Sequence, residues 1–572
     1  MVRRNRMITL QIVMLKSKKM VVFLCCVFFL CAAFPACAGL KAKYRITTDA
    51  SRWANEASAP IVSGATGTST IVIDTSTKYQ VINAFGGCFC EQGAKALKAV
   101  DSTLAKSVMK ELFDTVSGCK FNVCRMPIGA NDFTVQTATL NRWYSLDETA
   151  NDTAMTDIGI ARDKIYLIPY IKSAMVFRPN LKIWASPWSP PKWMKVNDDV
   201  PAANFIQTPK MLNAYALYLS KAVKLVQAEG VNVYGLSVQN EPYTVQSYPN
   251  CNWSATEIRD FIKLYVGPRF ASDQAQCDIW SPTMNNGDIT NFNTWLSDQG
   301  SAQYIKTVCF QYEGQSAIAA VHAAYPALTL YETETSCGSH ENNWAYAENP
   351  TFQQMQFYLV KGANGYMQWN MVLDQSGLSA WGWAQCSMVS VDTTKKTVTF
   401  NPQHYCAKHF SFYVKPGARR IKTSGTFSNQ VGFKNPDGSV VVVANNNGTG
   451  AVQLAVSLGT SIINVSAPAH SFDTYVFYDS LTSVSVRPSK NASQIQTTSL
   501  LKVTNSGNTV TIVPQATSFD LRVVGLDGRV KASLSSRTAN ALHFQPKEMA
   551  PGIYFIKGMV DGKSCRATVT IQ

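Results

Sequence analysis

Between about residues 80 and 416 the chain alternates short apolar runs with amphipathic stretches. The runs are rich in β-branched and aromatic residues, and several end on Gly, Pro or a polar residue. Such runs predict strands that are buried on both faces, as in a parallel sheet covered by helices. Eight are predicted, at residues 81–90, 121–128, 181–186, 231–241, 277–282, 307–312, 328–334 and 365–373.

The helix before the fourth strand has the clearest boundaries. Thr208 is the expected N-cap, Pro209 occupies the first turn and Gly230 ends the helix. Its apolar stripe comprises Met211, Tyr215, Leu219, Val223 and Val226. Eight strands that alternate with helices predict an α/β protein with a (β/α)8 barrel. A doubly wound sheet is the structural alternative, but no Gly-x-Gly-x-x-Gly motif and no phosphate loop follows any strand.

All-β segments flank the barrel. Strand-like pieces at residues 43–47 and 70–74 cannot form a core alone, so residues 39–80 are expected to complete a side β-sandwich with residues 417–482. The barrel is assigned to residues 81–416. A further C-terminal β-sandwich is expected at residues 485–572, where short strands are separated by Asp-Gly turns.

At 572 residues the chain is too long for one ordinary domain, which agrees with this division. The formal net charge is +15, but six of the basic residues fall in the first nineteen positions. The remaining excess is scattered, and no arginine-rich tract or nucleic-acid motif occurs. The charge therefore indicates a solvated surface, and no nucleic-acid partner is expected.

The basic start continues into an apolar run at residues 20–34 and then Ala36-Cys37-Ala38. This order is typical of a secretory signal peptide, here residues 1–38, with lipid attachment at Cys37 as an alternative. The run is too short for a membrane span, and no other such run follows. We expect a secreted or cell-surface protein with no integral membrane span in the mature chain, and a monomer.

Cysteine and histidine usage argues against a metal. Eleven of the fifteen cysteines remain after the signal peptide, scattered through a chain with only six histidines and no zinc-finger spacing. Buried thiols, with one or two disulfides, are expected instead. No metal and no cofactor is predicted.

Two carboxylates stand at predicted strand ends. Pro242 cannot continue a ladder, so Glu241 marks the carboxyl end of the fourth strand, and Glu334 ends the seventh. In a barrel these strands lie across the mouth from each other, at the catalytic face. Glycoside hydrolysis uses such a pair, with one carboxyl group as general acid and the other as nucleophile. A solvated glutamate on a loop is the ordinary alternative for either residue.

Aromatic residues cluster at the same predicted face. Sugars stack on aromatic rings through their C–H surfaces, so this density suits a carbohydrate cleft, although about half of these rings are expected to pack loops on the barrel. The residues are Trp184, Trp188, Trp193, Tyr312, Trp369, Trp381 and Trp383.

Six motifs in order resemble one family. They are Ala84-Phe85-Gly86-Gly87, Arg125-Met126-Pro127-Ile128-Gly129, Ala185-Ser186-Pro187-Trp188-Ser189-Pro190-Pro191, Gln239-Asn240-Glu241-Pro242, Thr333-Glu334 and Gln368-Trp369-Asn370. Over about residues 40–480 the chain resembles glycoside hydrolase family 30, the glucosylceramidase-like retaining β-glycosidases with a (β/α)8 barrel and a side β-sandwich. The resemblance implies Glu241 as acid/base and Glu334 as nucleophile.

The resemblance also implies the residues that hold the sugar. Asn240 would contact the 2-hydroxyl group, Arg125 would orient the nucleophile, and Trp188 and Trp369 would line the glycone subsite.

Two positions depart from the family pattern. The family often has an aspartate shortly after Phe-Gly-Gly that binds the glycone, and here that place is taken by Glu91. On the sixth strand many members carry a histidine before the aromatic residue, and here the pair is Gln311-Tyr312, with Tyr312 expected to contact substrate. These departures suggest a divergent branch acting on a xyloside, a fucoside, a β-glucoside or a β-glucan or xylan polysaccharide.

The expected function is that of a secreted retaining β-glycosidase whose partner is a β-linked glycan. A catalytically inactive carbohydrate-binding protein on the same barrel is the alternative from another class. An aldolase-like enzyme is disfavoured because no lysine stands at a strand end in a suitable setting. The last segment resembles the sorting or anchoring modules of secreted bacterial glycosidases.

Overall fold

The computed structural model describes residues 39–339, 342–479 and seven strands between residues 501 and 571. The segment 1–38, to which the signal peptide is assigned, lies outside the described residues. The strands are β1 Leu40–Thr48, β2 Ala57–Ala59, β3 Ser69–Ile82, β4 Ala84–Cys88, β5 Val123–Ile128, β6 Lys182–Pro187, β7 Val233–Ser237, β8 Asp278–Met284, β9 Ile305–Gln311, β10 Thr329–Glu334, β11 Gly365–Asn370, β12 Val372–Asp374, β13 Val389–Asp392, β14 Thr397–Phe400, β15 Ala418–Ser424, β16 Gln430–Lys434, β17 Val440–Asn446, β18 Val452–Leu458, β19 Ser461–Ala467, β20 Ser471–Asp479, β21 Leu501–Ser506, β22 Thr509–Pro514, β23 Phe519–Gly525, β24 Val530–Ser536, β25 Leu542–Phe544, β26 Gly552–Val560 and β27 Lys563–Ile571.

Helices fill most of the intervals between strands in the central part of the chain. The α-helices are α1 Glu91–Lys98, α2 Ser102–Phe113, α3 Leu167–Met175, α4 Pro209–Ala228, α5 Ala255–Phe261, α6 Gly267–Ser272, α7 Ile289–Leu296, α8 Gln299–Ala302, α9 Ile318–Ala324, α10 Trp344–Tyr346, α11 Phe352–Lys361 and α12 Pro402–Tyr413. Among the described residues there are also two π-helical turns, Ile262–Val266 and Ala347–Thr351, and two 3-10 turns, Lys192–Met194 and Tyr312–Ala317. Among the described residues, no helix has the length and apolar character that crossing a membrane requires.

Strands β4 to β11 close into a parallel barrel, so the (β/α)8 prediction is confirmed. All residues of β4, β5 and β11 are buried, as expected for strands covered by helices outside and side chains inside. The barrel interior holds the stacked rings of Trp184 and Trp280, with centroids 5.2 Å apart. A Cβ atom at Gly235 would lie 2.3 Å from the Trp280 ring, so only glycine allows this packing.

Helix α4 forms with the predicted boundaries. The Thr208 hydroxyl accepts a hydrogen bond from the backbone N–H of Met211, and Pro209 is the first helical residue. The helix is followed by Gly230, whose φ of +81° favours glycine. The capping residues predicted from the sequence therefore determine where α4 ends and where the chain turns into β7, the strand that leads to Glu241.

A nine-stranded sheet packs beside the barrel, in the order β19-β18-β3-β15-β16-β17-β20-β1-β2. The N-terminal strands β1 and β3 pair with β20 and with β15 and β18, respectively. Val62, just after β2, bridges Ile462 in β19, which brings the two edges of the sheet together around a separate hydrophobic core. Because β3 continues to Ile82, the first barrel strand begins at Ala84 rather than at residue 81 as predicted.

The chain divides into two compact units at residues 483 and 484. The second unit contains one three-stranded antiparallel sheet, β21-β22-β25, and one four-stranded antiparallel sheet, β24-β23-β26-β27. Leu521, Val523 and Ile556 are buried within this unit. It is thus an all-β module with its own core.

Truncation after Val486 should leave hydrolysis of a soluble aryl glycoside unchanged, because the residues of the candidate site all precede residue 390 and the second unit forms its own core. Steady-state rates of the full-length and truncated proteins, with the location of each protein in the producing cell, test this. A joint loss of activity and of folding would show instead that the module supports the barrel.

Candidate active site

Glu334 ends β10 at the mouth of the barrel and is 5% exposed. Its Oε2 atom forms an ion pair with Arg125 and accepts a hydrogen bond from Gln311 Nε2 at 3.1 Å. Its Oε1 atom accepts a hydrogen bond from the Tyr312 hydroxyl group at 3.0 Å. Three side-chain donors therefore fix this carboxylate and favour its charged form.

A buried network orients Arg125. Its Nε and Nη2 atoms donate to Ser186 Oγ at 3.0 and 2.8 Å, and Nη2 also donates to Asn240 Oδ1 at 2.5 Å. The guanidinium carbon lies 4.0 Å from the centre of the Trp188 ring, an arrangement that stabilises a desolvated cation. The guanidinium fork consequently holds Glu334 in one orientation.

The side-chain oxygen of Asn240 accepts three hydrogen bonds. The donors are Arg125, the Thr283 hydroxyl group at 2.9 Å and Gln311 Nε2 at 3.1 Å. This set of donors fixes which end of the amide is oxygen, and it leaves Nδ2 as a donor for a ligand. An amide N–H in this place suits a sugar hydroxyl group.

Glu241 follows β7 and faces the same cleft. Its φ is +42°, a left-handed conformation that is uncommon for glutamate and that clusters at functional sites. Its backbone N–H donates to the Thr283 carbonyl and hydroxyl oxygens, both at 3.2 Å. Its Oε2 accepts a hydrogen bond from the Tyr248 hydroxyl group at 2.7 Å.

The two carboxyl groups have different electrostatic surroundings. Burial, reinforced by the negative charge of Glu334, raises the pKa of Glu241 to about 8, and Tyr248 only partly opposes the rise. Burial also raises the pKa of Glu334, but the ion pair with Arg125 and the three donors oppose it. The surroundings of Glu241 thus favour its protonated form, whereas Arg125 and the hydrogen-bond donors favour the charged form of Glu334.

Both carboxyl groups line one cleft of about 280 Å³. Its other lining residues are Asp132, Trp188, Gln246, Tyr248, Tyr312, Trp381, Trp383 and Gln385. Trp383 is 45% exposed and its ring centre lies 5.5 Å from that of Trp381, which in turn lies 5.4 Å from that of Tyr248. Aromatic faces thus extend from the carboxyl pair to the protein surface.

Several of the aromatic residues singled out in the sequence lie elsewhere. Trp369 does not line the cleft but stacks against Trp188, with ring centres 5.3 Å apart, and so supports that ring from behind. Trp184 fills the barrel interior, and Trp193 is buried with its N–H group donating to the Asp147 carbonyl oxygen.

Glu91 lies outside the cleft, which corrects its assignment to the glycone subsite. It begins α1, and both oxygens are bound by Arg162, with Nε and Nη2 each at 2.9 Å. Oε2 also accepts the Val135 backbone N–H at 2.7 Å. This carboxylate anchors the loop after β5, so the departure from the family pattern at Glu91 carries no information about the glycone.

Asp132, which the sequence reasoning missed, occupies the cleft instead. It follows β5 by four residues, the same strand-end position that singled out Glu241, so a signal was present. Its Oδ1 atom is buried without a hydrogen-bond partner in the described part of the chain. Burial and the nearby charges of Glu334 and Glu241 raise the pKa of Asp132 well above its usual range. A sugar hydroxyl group would satisfy this carboxyl group.

Tyr248 was missed as well, along with Gln246 and Gln385. Tyr248 lies on the irregular segment between β7 and α5, whose sequence has no periodicity that fixes a side-chain direction. Only the three-dimensional path of that segment shows that its hydroxyl group reaches Glu241.

Away from the cleft, Glu111, Cys119 and His404 lie close enough together to hold a metal ion. However, Glu111 Oε1 already accepts from His404 Nε2 at 3.0 Å and forms an ion pair with Lys408. The lysine neutralises the carboxylate, so this cluster is complete as a hydrogen-bonded link between α2 and α12.

The sequence profile of the Glycosyl hydrolase family 30 TIM-barrel domain matches residues 82–414. That of the Glycosyl hydrolase family 30 beta sandwich domain matches residues 417–475. The chain belongs to glycosyl hydrolase family 30. It is therefore a glycoside hydrolase, and its substrate is a glycan or glycoside.

Relatives within family 30 carry different names. Putative glucosylceramidase 1 of Caenorhabditis elegans is 30% identical over 417 residues, covering 67% of this chain and 77% of the relative. Endo-1,6-beta-D-glucanase neg1 of Aspergillus fumigatus is 25% identical over 438 residues, covering 71% and 87%. The solved structure of the endo-β-1,6-glucanase BT3312 superposes with a TM-score of 0.69 at 24% identity, covering 76% of this chain and 99% of that one.

Replacing Tyr248 with Phe should move the alkaline limb of the pH–rate profile. A general acid at Glu241 must be protonated, so activity falls as pH rises through about 8. Removing the Tyr248 hydroxyl group withdraws a hydrogen bond that favours the charged form of Glu241. Its pKa, and with it the limb, should rise by about one unit.

Profiles of kcat/KM against pH measure this shift, and Tyr243→Phe is the matched control because its hydroxyl group has no partner among the described residues. An unchanged or lowered limb in Tyr248→Phe would contradict the assignment.

Proposed function

We propose that the chain is an exported β-glycosidase that hydrolyses its substrate with retention of configuration, through a covalent glycosyl–Glu334 intermediate. The observation that carries the proposal is the carboxyl pair Glu241 and Glu334, which share one cleft but differ in their partners: an ion pair with Arg125 favours the charged form of Glu334, whereas Glu241 has no such ion pair. Double displacement requires one protonated and one ionised carboxyl group at the same time.

Glu241 acts as the general acid in the first step. Its raised pKa keeps the proton that the leaving oxygen must receive, and burial supplies the low-dielectric surroundings that make this possible at neutral pH. In the second step the carboxylate form takes a proton from water. The Tyr248 hydroxyl group stabilises that charged form and so assists this second role.

Glu334 acts as the nucleophile. Arg125 and Tyr312 stabilise its charge and fix its orientation before substrate binds, so little reorganisation is required at the transition state. As the bond to the sugar forms, the carboxylate loses its charge, and Arg125 is left to interact with the other oxygen acceptors around it, including Asn240.

The glycone is held by groups that can contact its hydroxyl groups and its ring face. Asn240 Nδ2 donates to the 2-hydroxyl group, Asp132 Oδ1 accepts from a hydroxyl group farther from the reacting carbon, and Trp188 supplies a flat apolar wall. Trp381 and Trp383, toward the surface, stack on the leaving-group side.

The substrate is proposed to be a β-linked glucoside or glucan, because the relatives include proteins named glucosylceramidase and endo-β-1,6-glucanase. A screen of aryl β-glucoside, xyloside, fucoside and galactoside, together with β-1,3-glucan, β-1,6-glucan and xylan, identifies the glycone and linkage. Absence of release from every one of these, alongside measurable glycan binding, would favour a carbohydrate-binding protein instead.

Replacing Glu241 with Gln tests the acid. General acid catalysis contributes about 10²- to 10⁴-fold, and this loss should be full for a natural glycan with a poor leaving group. With an aryl glycoside whose leaving group is activated, the first step should persist and a glycosyl-enzyme should accumulate as a burst. Equal losses for both substrates would contradict the role of Glu241 as acid.

Export rests on the pattern of residues 1–38, where a basic start precedes an apolar run and a small-x-small site. Expression with and without these residues, followed by fractionation of cells and medium, tests it. Retention of the full-length protein inside the cell would refute export.

A further inference from the structure

A second pocket, of about 290 Å³, lies at the end of the barrel opposite to the catalytic cleft. Two of its lining residues, Asn83 and Asn122, stand immediately before β4 and β5, at the amino-terminal ends of those strands. On the other side it is bounded by the last turn of α12 and by residues 414–416, which lead into the side sheet. Substrate contacts in this family of barrels occur at the other end, so this pocket has no part in the proposed reaction.

Three cationic side chains and no carboxylate line this pocket: Lys120, Arg178 and Lys415. Lys415 is paired with Asp437 at the surface. Within the described residues, Lys120 and Arg178 form no ion pair; they donate instead to backbone carbonyl groups, Lys120 Nζ to Phe412 at 3.1 Å and Arg178 Nη1 to Lys120 at 3.1 Å. Two positive charges are thus left without an anionic partner.

Two buried donors in the pocket wall are also unsatisfied. Ser411 is only 5% exposed, and its hydroxyl group has no hydrogen-bond partner in the described part of the chain. The Nε atom of Arg178 is likewise buried and without a partner there. Because buried polar groups are almost always hydrogen-bonded, two orphaned donors beside two unpaired cations indicate a ligand that only accepts.

The electrostatics point the same way. Burial and the neighbouring charge of Lys415 lower the pKa of Lys120 to about 8, and burial lowers the pKa of Arg178. Glu56 is the acid that favours the Lys120 cation, but it lies in ion pairs with Lys43 and Arg45. A bound anion would supply the missing counter-charge.

We propose that this pocket binds a small oxyanion, a sulfate, phosphate or carboxylate group, through Arg178 Nε, Ser411 Oγ and the Lys120 ammonium group. Such an anion satisfies both orphaned donors at once, with charge-assisted hydrogen bonds, and neutralises the two cations. The site links the loop that carries Lys120 to the end of α12, so occupancy stabilises the junction of barrel and side sheet.

Thermal unfolding and isothermal titration of the full-length protein test the site. Sulfate and phosphate, each compared with chloride at equal ionic strength, should raise the unfolding temperature saturably. Sulfate also stabilises proteins generally, so the decisive comparison is between variants. Arg178→Met combined with Ser411→Ala should weaken anion binding about tenfold or more, whereas the exposed Lys422→Met should bind as the wild type does. Equal responses in all three proteins would overturn the proposal.

Ser411→Asp tests the site through an expected gain of stability rather than through a loss of anion binding. The introduced carboxylate takes the place of the anion, so in chloride alone the unfolding temperature should rise and the response to sulfate should disappear. A lower unfolding temperature with the sulfate response retained would overturn the proposal.

The source of the anion is identified by comparing ligands. If glucuronate raises the unfolding temperature and glucose, sulfate and phosphate do not, the ligand is an acidic sugar. If only sulfate and phosphate raise it, the ligand is an inorganic ion. Turnover of an aryl glycoside should be unaffected in every variant.

Discussion

Replacing Glu334 with Gln is expected to lower kcat by about 10⁴-fold or more, since removal of a covalent nucleophile leaves only binding and the remaining polar groups to act on the substrate. Gln is nearly isosteric, and its carbonyl oxygen can still accept from Arg125, which now contacts Oε2 of Glu334, while its amide N–H group, in the place of Oε1, can donate to the Tyr312 hydroxyl oxygen. The variant should therefore keep its unfolding temperature within a few degrees and still bind substrate. Steady-state and single-turnover rates measure the loss of turnover and the retained binding of substrate, and thermal unfolding measures stability.

Glu313→Gln is the matched control for this variant. Glu313 follows Tyr312 and raises the pKa of Glu241 only as a distant charge, so its loss should leave kcat nearly unchanged. Turnover by Glu334→Gln at a comparable rate to this control would mean that the nucleophile lies elsewhere.

Replacing Arg125 with Met should have the second largest effect, on stability as well as activity. Breaking a buried ion pair by removing one partner costs about 3–5 kcal/mol, because the remaining charge is left uncompensated. Glu334 and Asn240 would both lose a donor. The pKa of Glu334 should rise, since its stabilising cation is gone, so the fraction of ionised nucleophile at neutral pH falls and kcat/KM with it.

The sign of this shift distinguishes the effect from simple unfolding. An ionised nucleophile is needed, so the acidic limb of kcat/KM should move to higher pH in Arg125→Met, and activity should recover in part as pH rises. Arg125→Lys keeps the charge but loses the planar guanidinium group. The acidic limb of its kcat/KM profile is expected to lie between those of the wild type and Arg125→Met. An acidic limb that stays in place in Arg125→Met would contradict the ion pair's role.

The barrel could be predicted because its strands are almost entirely buried and the helix before the fourth strand carries clear caps. Thr208, Pro209 and Gly230 each have a local physical reason for their place, so α4 and the strand after it follow from the sequence. Pro242 in turn places Glu241 near the carboxyl end of the fourth barrel strand, at the catalytic face, although β7 itself ends four residues earlier, at Ser237. These caps act on residues close in sequence, so the packing of the rest of the chain does not change where the helix begins and ends.

Side-chain direction after a strand end could not be predicted in the same way. Glu91 and Asp132 are both acidic residues that follow barrel strands, yet Arg162 draws Glu91 away and leaves Asp132 facing the cleft. The choice depends on a partner 71 residues distant in sequence. Tyr248 reaches Glu241 through the path of an irregular segment, which no periodicity describes.

The measurement that tests double displacement most directly is mass spectrometry of peptides from Glu241→Gln after reaction with an aryl glycoside that carries an activated leaving group. The sugar is the one that the substrate screen selects. The prediction is a glycosyl adduct on the peptide containing Glu334, formed at the rate of the burst and absent from Glu241→Gln combined with Glu334→Gln. An adduct on another residue, or release of the aryl group in the double variant at the same rate, would contradict it.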